Sequence, residues 1–114
     1  MFLKAAEQKA GQVGLGWAVT HLREQAGLTR AELSGRSGLA DAELEAVEQG
    51  HVDPTWGHLR RIAYGMNTEL ETLLQLGIEL APGPAGDRLR KQDQEAGNFD
   101  AQDVARDEGE GERT

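Results

Sequence analysis

Residues 29–50 read TRAELSGRSGLADAELEAVEQG. Thr29 stands three positions before Glu32, the spacing at which a hydroxyl and a carboxylate each satisfy an orphan backbone N–H at a helix start. A helix therefore begins at Thr29. It is short, because Gly35 and Gly38 crowd its end, and it turns Leu33, Ser34 and Ser37 inward with Leu28 just ahead. A second short helix follows over Asp41 to Gln49, burying Leu44 and Val47 with Leu39 at its start, and Gly50 supplies a left-handed stop. Its polar face carries Asp41, Glu43, Glu45 and Glu48 and no basic residue.

The flanks extend the helical pattern. In LGWAVTHLREQAG, Leu15, Ala18, Val19, Leu22 and Ala26 recur at helical spacing and Gly27 is a C-terminal stop. The preceding AAEQKAGQ extends that helix or stays outside it, since Gly11, Gly14 and Gly16 blur its beginning. Downstream, Pro54 suits a helix start, Leu59, Ile62, Ala63 and Met66 repeat at steps of three and four, and Asn67 tolerates the left-handed conformation that ends a helix. Thr68 and Glu71 repeat the capping-box spacing, with Leu70, Leu73 and Leu74 as an inward face. Five short helices and no good strand candidate make an all-α domain over residues 14–81, preceded by an extension over 1–13. Leu76, Ile78 and Leu80 are an alternating apolar surplus that suits an edge or a dimer contact.

From Pro82 the composition changes. Apolar residues thin to Leu89, Phe99 and Val104 among many charges, too few to repay the entropy of ordering. Residues 82–114 are expected as a disordered acidic tail, with at most a transient helical turn or two in DRLRKQDQEA. The tail reads either as a solubilising segment or as an autoinhibitory or partner-binding one, and Phe99 is its best candidate anchor. The 114-residue chain has a formal charge of −8, divided equally: residues 1–81 hold 7 Lys/Arg against 11 Asp/Glu, and 82–114 hold 5 against 9. Removing the tail would leave no basic domain, and such a balance argues against tight non-specific binding to polyanions.

Several functions are set aside on composition. The chain has no cysteine, hence no disulfide, thiolate zinc site or cysteine nucleophile. His21, His51 and His58 are scattered without carboxylate company, so no metal is expected. GQVGLG lacks a preceding strand and a following Gly-Lys-Ser/Thr, and Ser34 and Ser37 lack a base, so neither cofactor nor enzymatic activity is indicated. No run of about 18 apolar residues is present, and the early charges of MFLKAAEQKAGQ do not suit a secretory leader. The expectation is a soluble, cytoplasmic protein without membrane contact.

The pattern as a whole resembles the Cro/C1-type (XRE-like) helix-turn-helix family over roughly Leu15 to Leu74. The residues that carry the resemblance are Leu15-Gly16, Val19, Leu22-Arg23, Gly27-Leu28-Thr29, Glu32-Leu33, Gly38-Leu39, Leu44, Val47-Glu48, Gly50, Pro54, Leu59, Ile62-Ala63 and Leu73-Leu74. It implies a lambda-repressor-like five-helix domain whose third helix enters the major groove of double-stranded DNA. Arg23 and Glu48 fall where the family commonly pairs an arginine on helix 1 with a glutamate near the end of helix 3.

The same resemblance puts Ala40, Asp41, Ala42, Glu43 and Ala46 toward the bases, where family members often carry Ser, Thr, Gln, Arg or Lys. Aspartate and glutamate accept from cytosine N4 and alanine meets a thymine methyl, which allows a sparse readout. Thr29 and Arg30 at the start of helix 2 suit phosphate, as do Gln49, His51, Thr55 and Trp56 around the start of helix 4. Arg36 could help, whereas Thr20 stands where the family often has a basic residue. Two or three phosphates per subunit correspond to a salt slope of roughly −2 to −3 on the log scale.

Plainer readings stand beside these. Asp41 suits the first turn of a helix for its dipole and as a replacement for the cap missing at Ala40, against a cytosine or partner contact. Glu43 and Glu45 read equally as a solvated face or as a surface for a basic protein partner. Arg60 and Arg61, the domain's adjacent basic pair, read as solvated or as a patch that meets the tail. Two functions follow: a DNA-binding transcription regulator acting as a homodimer through Leu76, Ile78 and Leu80, or a helix-turn-helix module repurposed for protein interaction as an antirepressor, antitoxin-like protein or adaptor.

Overall fold

The Thr29 capping box forms. The Thr29 hydroxyl accepts from the Glu32 N–H at 3.0 Å, and the Glu32 carboxylate accepts from the Thr29 N–H at 2.8 Å. It starts α2 (Arg30–Ser37), and Gly38, in the left-handed region at φ 78°, turns the chain toward α3 (Asp41–Glu48). Two side chains brace that turn: the Ser34 hydroxyl donates to Leu39 O at 2.6 Å, and the Leu39 N–H donates to Ser37 Oγ at 3.2 Å. The inward serines thus serve the backbone of the turn, a use that apolar periodicity does not show.

The computed structural model describes residues 5–94. Around α2 and α3 stand α1 (Ala5–Gln25), α4 (Trp56–Gly65), α5 (Leu70–Leu80) and a sixth helix, α6, over residues 83–94. Among the described residues there is no strand, and no helix is long and apolar enough to cross a membrane. Val19, Leu33, Leu44, Ile62 and Leu73, each from a different helix of α1–α5, are fully buried and meet in one core. Ala18, Leu39, Val47, Leu59, Ala63 and Met66 complete it. Removing one of the large side chains would cost about 2–5 kcal/mol, because the cavity left behind adds to the lost transfer energy.

The stops are read correctly at Gly27, Gly50 and Asn67, all at positive φ. At Asn67, the Asn67 and Thr68 N–H groups donate back to Tyr64 O and Ala63 O at 3.0 and 2.9 Å. This bond corrects the second capping box. The Thr68 N–H is already committed to ending α4, so Glu69 becomes the N-cap of α5, without a side-chain cap bond. A further correction is Ala26, which is exposed at the end of α1.

α1 begins at Ala5, so its helix takes in the described part of the expected extension. Two of the three glycines that blurred its start, Gly14 and Gly16, are packing positions. A Cβ on Gly14 would lie 2.3 Å from Gly77 O and 2.7 Å from the Ala81 backbone, and one on Gly16 would lie 2.5 Å from Val47 O and Glu48 O. Glycine lets α1 touch the backbones of α5 and α3.

The largest departure lies past Pro82. Residues 83–94 are helical and packed: Leu89 Cδ1 lies against Gly11, and Arg88 Nε donates to the buried carboxylate of Glu7 at 2.7 Å. Arg90 Nη1 donates to the carbonyls of Ile78, Glu79 and Ala81 at 3.0, 3.1 and 2.9 Å, capping α5. Specific partners on α1 and α5 order a segment whose composition alone suggested a tail. Residues 95–114, including Phe99, lie outside the described residues, as do residues 1–4.

Leu76, Ile78 and Leu80 are also corrected in part. They belong to α5, where a spacing of two does not share a face. Leu76 and Leu80 pack half-buried against the core, whereas Ile78 lines a groove with Leu15 and Leu89.

Candidate nucleic-acid interface

α3 packs against α1 and α2 through Leu44 and Val47, which leaves its other side to solvent. Ala40, Asp41, Ala42, Glu43 and Gln49 are exposed, and Ala46 is half-buried. The helix has no side-chain N-cap because Ala40 offers none, but Glu43 reaches back to accept from the Ala40 N–H at 2.9 Å. Glu43 thus orders the start of α3, a role the plain reading gave to Asp41. Gln49 Nε2 donates to Glu45 Oε2 at 3.2 Å, which occupies one of the expected phosphate contacts.

The far end of α3 is tied to α1. Arg23 Nε donates to Glu48 Oε2 at 2.7 Å, Nη2 donates to Oε1 at 3.3 Å, and Nη1 donates to Leu28 O at 2.9 Å. Both side chains are largely removed from water, at 13% and 6% exposure. The hydrogen bond to Glu48 raises the Arg23 guanidinium above its usual value, against the lowering effect of burial. A bidentate pair of this kind fixes the angle between two helices even where its net stabilisation is small.

On one flank of α3 lie Thr29 and Arg30. Arg30 does not extend freely: its Nε lies 3.4 Å from Asp41 Oδ1, its Nη1 3.8 Å from Glu48 Oε1 and its Nη2 4.0 Å from Glu45 Oε1. Asp41, Glu45 and Glu48 follow one another at helical steps of four and three, so they line one stripe of α3. Arg30, the first residue of α2, lies along that stripe.

On the other flank, the Thr55 hydroxyl accepts from the His58 N–H at 3.1 Å and starts α4. Ala42, Glu43, Ala46 and Val47 of α3 face Val52, Asp53, Pro54, Thr55 and His58 across a groove of about 360 Å³. Its walls are mainly apolar, and Glu43 and Asp53 are the carboxylates among them. His51 is exposed and lies outside both flanks; its N–H donates to Ala46 O at 3.0 Å to close α3. The expected contact residues therefore separate into an Arg30 cluster with Thr29 and Asp41, and a groove with Ala42, Glu43, Ala46 and Thr55.

A protein-family model described as a helix-turn-helix domain matches residues 15–76, more than half of the chain. The chain belongs to the helix-turn-helix domain family. This agrees with the resemblance read from the sequence. Among solved structures, the helix-turn-helix chain is similar to the restriction-modification controller protein C.AhdI from Aeromonas hydrophila, at 26% identity and a TM-score of 0.53, over 54% of this chain and 94% of that one. It also shares its fold with the clp gene regulator ClgR from C. glutamicum, at 19% identity and a TM-score of 0.60, over 63% and 92% of the two chains. No curated protein sequence matches it.

The helix-turn-helix match begins within α1 and ends within α5. Glu7, Lys9, Arg88 and Arg90 therefore lie outside it. Lys9 matters to the site, since its Nζ donates to Gly50 O at 2.6 Å and anchors the loop that leaves α3. Sequence reasoning missed Lys9, and it missed Val52, Asp53 and His58 as groove walls. The regular spacing of Asp41, Glu45 and Glu48 was the available signal for the Arg30 cluster.

Proposed function

We propose that this helix-turn-helix protein is a transcription regulator that reads operator DNA as a homodimer, with α3 in the major groove. The observation that carries the reading is the exposed face of α3 bracketed by the capped N-termini of α2 and α4. Helix N-termini present N–H groups and positive dipole ends to phosphate on either side of a groove-bound helix. Ala42 and Ala46 suit thymine methyls, and Asp41 and Glu43 suit cytosine N4 donors. Its similarity to a restriction-modification controller protein and to a gene regulator supports the regulatory part.

The homodimer is proposed through α5. Leu76 lines an open groove of about 620 Å³ with His21, Leu22, Gln25 and Gln75, a surface on which a second copy would double a small set of DNA contacts. Ile78, on another side of the helix, has no part in it.

The test is fluorescence anisotropy with a duplex from the region upstream of the protein's own gene, over a salt series, alongside light scattering. Specific binding with a negative salt slope and a dimer mass support the proposal. A monomer at micromolar concentration would remove the homodimer, and failure to bind any such duplex at low salt would remove the operator reading.

A second reading is favoured by the Arg30 cluster. With Arg30 faced by three carboxylates, and Glu43 and Asp53 lining a mainly apolar groove, this face suits a basic protein partner. In that case capture of a basic protein would be abolished by Asp41→Asn with Glu43→Gln, and duplex binding would be absent throughout.

A further inference from the structure

Three arginines gather on α2 and α4. Arg60 and Arg61 of α4 and Arg36 of α2 line an open groove of about 520 Å³ with Ser37, Gly57 and Tyr64, and no carboxylate lines it. Among the described residues, Arg60 and Arg61 form no ion pair, and Arg36 makes one long hydrogen bond, 3.4 Å to Gly65 O. Two large apolar side chains accompany them. Trp56 is 62% exposed and Tyr64 80% exposed, and the spacing Trp56, Arg60, Tyr64 repeats every fourth residue along one stripe of the helix. In a chain of net charge −8, an uncompensated group of three arginines beside two uncovered aromatic rings calls for an acidic occupant with an apolar side chain.

The chain carries such an occupant. Residues 82–94 hold three basic and two acidic side chains, so the acidity previously spread over 82–114 is concentrated beyond α6. Residues 95–114 contain seven carboxylates against Arg106 and Arg113, a net −5, with Phe99 as their aromatic residue. Twenty residues span up to about 66 Å when extended, which exceeds the protein's longest dimension of 51 Å. The segment therefore reaches α4 from the end of α6 in the same molecule. We infer that residues 95–114 dock on the Arg36, Arg60, Arg61 face of α4, with Phe99 against the exposed aromatics. The inference is independent of whether α3 binds DNA.

The absence of cysteine makes a direct test available. A nitroxide label on Ala105→Cys in the full-length, ¹⁵N-labelled protein should broaden the amides of residues 57–64 at low salt, reducing their peak intensity by about twofold or more, and the loss should reverse near 0.5 M salt, where the screening length falls to a few ångströms. Arg60→Gln with Arg61→Gln, both exposed positions, should abolish the broadening while leaving the remaining spectrum in place. Absence of broadening on α4, or broadening that survives the double substitution, overturns the inference. Equal broadening when labelled ¹⁴N protein is mixed with unlabelled ¹⁵N protein assigns the face to a second copy instead. Shifts of the α4 amides on adding a DNA duplex, without any broadening from the label, assign it to phosphate and likewise overturn it.

Discussion

Arg30 Nε lies 3.4 Å from Asp41 Oδ1, and the same guanidinium also faces Glu48 and Glu45. The residue proposed to meet phosphate at the start of α2 is thus engaged by the helix proposed to enter the groove. Arg30 and Asp41 are substantially exposed, so their pairing is weak and exchangeable. A phosphate bound there would compete with it.

Asp41→Asn with Glu45→Gln should therefore release Arg30. Affinity for a duplex at low salt is expected to rise by about threefold to tenfold, the scale of relieving one or two partly screened charges. The salt slope should steepen by about 1 as Arg30 joins the phosphate contacts. Anisotropy across a salt series reads both quantities, and an unchanged slope would place Arg30 away from the backbone.

Glu48 behaves differently because it is almost fully buried against Arg23. Arg23→Ala should destabilise the fold by about 3 kcal/mol, since it leaves a buried carboxylate without its main partner. Arg23→Met with Glu48→Leu should lose much less. Thermal unfolding followed by circular dichroism compares the two, and equal losses would mean that the pair acts only through its packing.

Glycines on two helices should respond with opposite signs. Gly14→Ala puts a methyl into the α5 backbone and should cost about 2 kcal/mol or more despite alanine's better helix propensity. Gly35→Ala, on α2 with open space around it, should stabilise by about 0.5–1 kcal/mol. Urea midpoints at constant slope decide the matter.

The two threonine capping patterns make a parallel comparison. Thr29→Ala removes a formed box and should cost about 1 kcal/mol, whereas Thr68→Ala should cost a few tenths at most, because its hydroxyl makes only a 3.5 Å bond to Met66 O. Equal losses at the two sites would contradict the assignment of Glu69 as the N-cap of α5.

Arg90→Ala should fray the end of α5. Three carbonyls lose their donor, and hydrogen exchange of the last α5 amides should accelerate by about tenfold, equivalent to roughly 1.4 kcal/mol of local stability. Uniform acceleration across α1–α5 would instead make Arg90 part of the global fold.

Those contrasts also mark where the sequence was legible. Leu33, Leu44, Ile62 and Leu73 were readable because apolar periodicity reports on the burial of a helix face. The stops at Gly27, Gly50 and Asn67 were readable because few residues tolerate positive φ. Thr68 misled because two local rules competed for one N–H, and only the geometry of α4 decides between them. The α6 contacts were hidden because Arg88 and Arg90 find their partners 81 and about ten positions away in sequence, which composition cannot encode. At the candidate site, the α3 residues were picked out by the resemblance to the family, whereas the pairing of Asp41, Glu45 and Glu48 with Arg30 depends on the angle between α2 and α3.

The Glu7–Arg88 contact has a practical corollary for anyone who wishes to attach something to this protein. Glu7 lies in the first turn of α1 and Arg88 in the last helix described, so the path into the fold and the path out of it run side by side. A probe attached in the first turn of α1 and another on the Arg88 turn of α6 would therefore sit beside each other, although 81 positions separate Glu7 from Arg88.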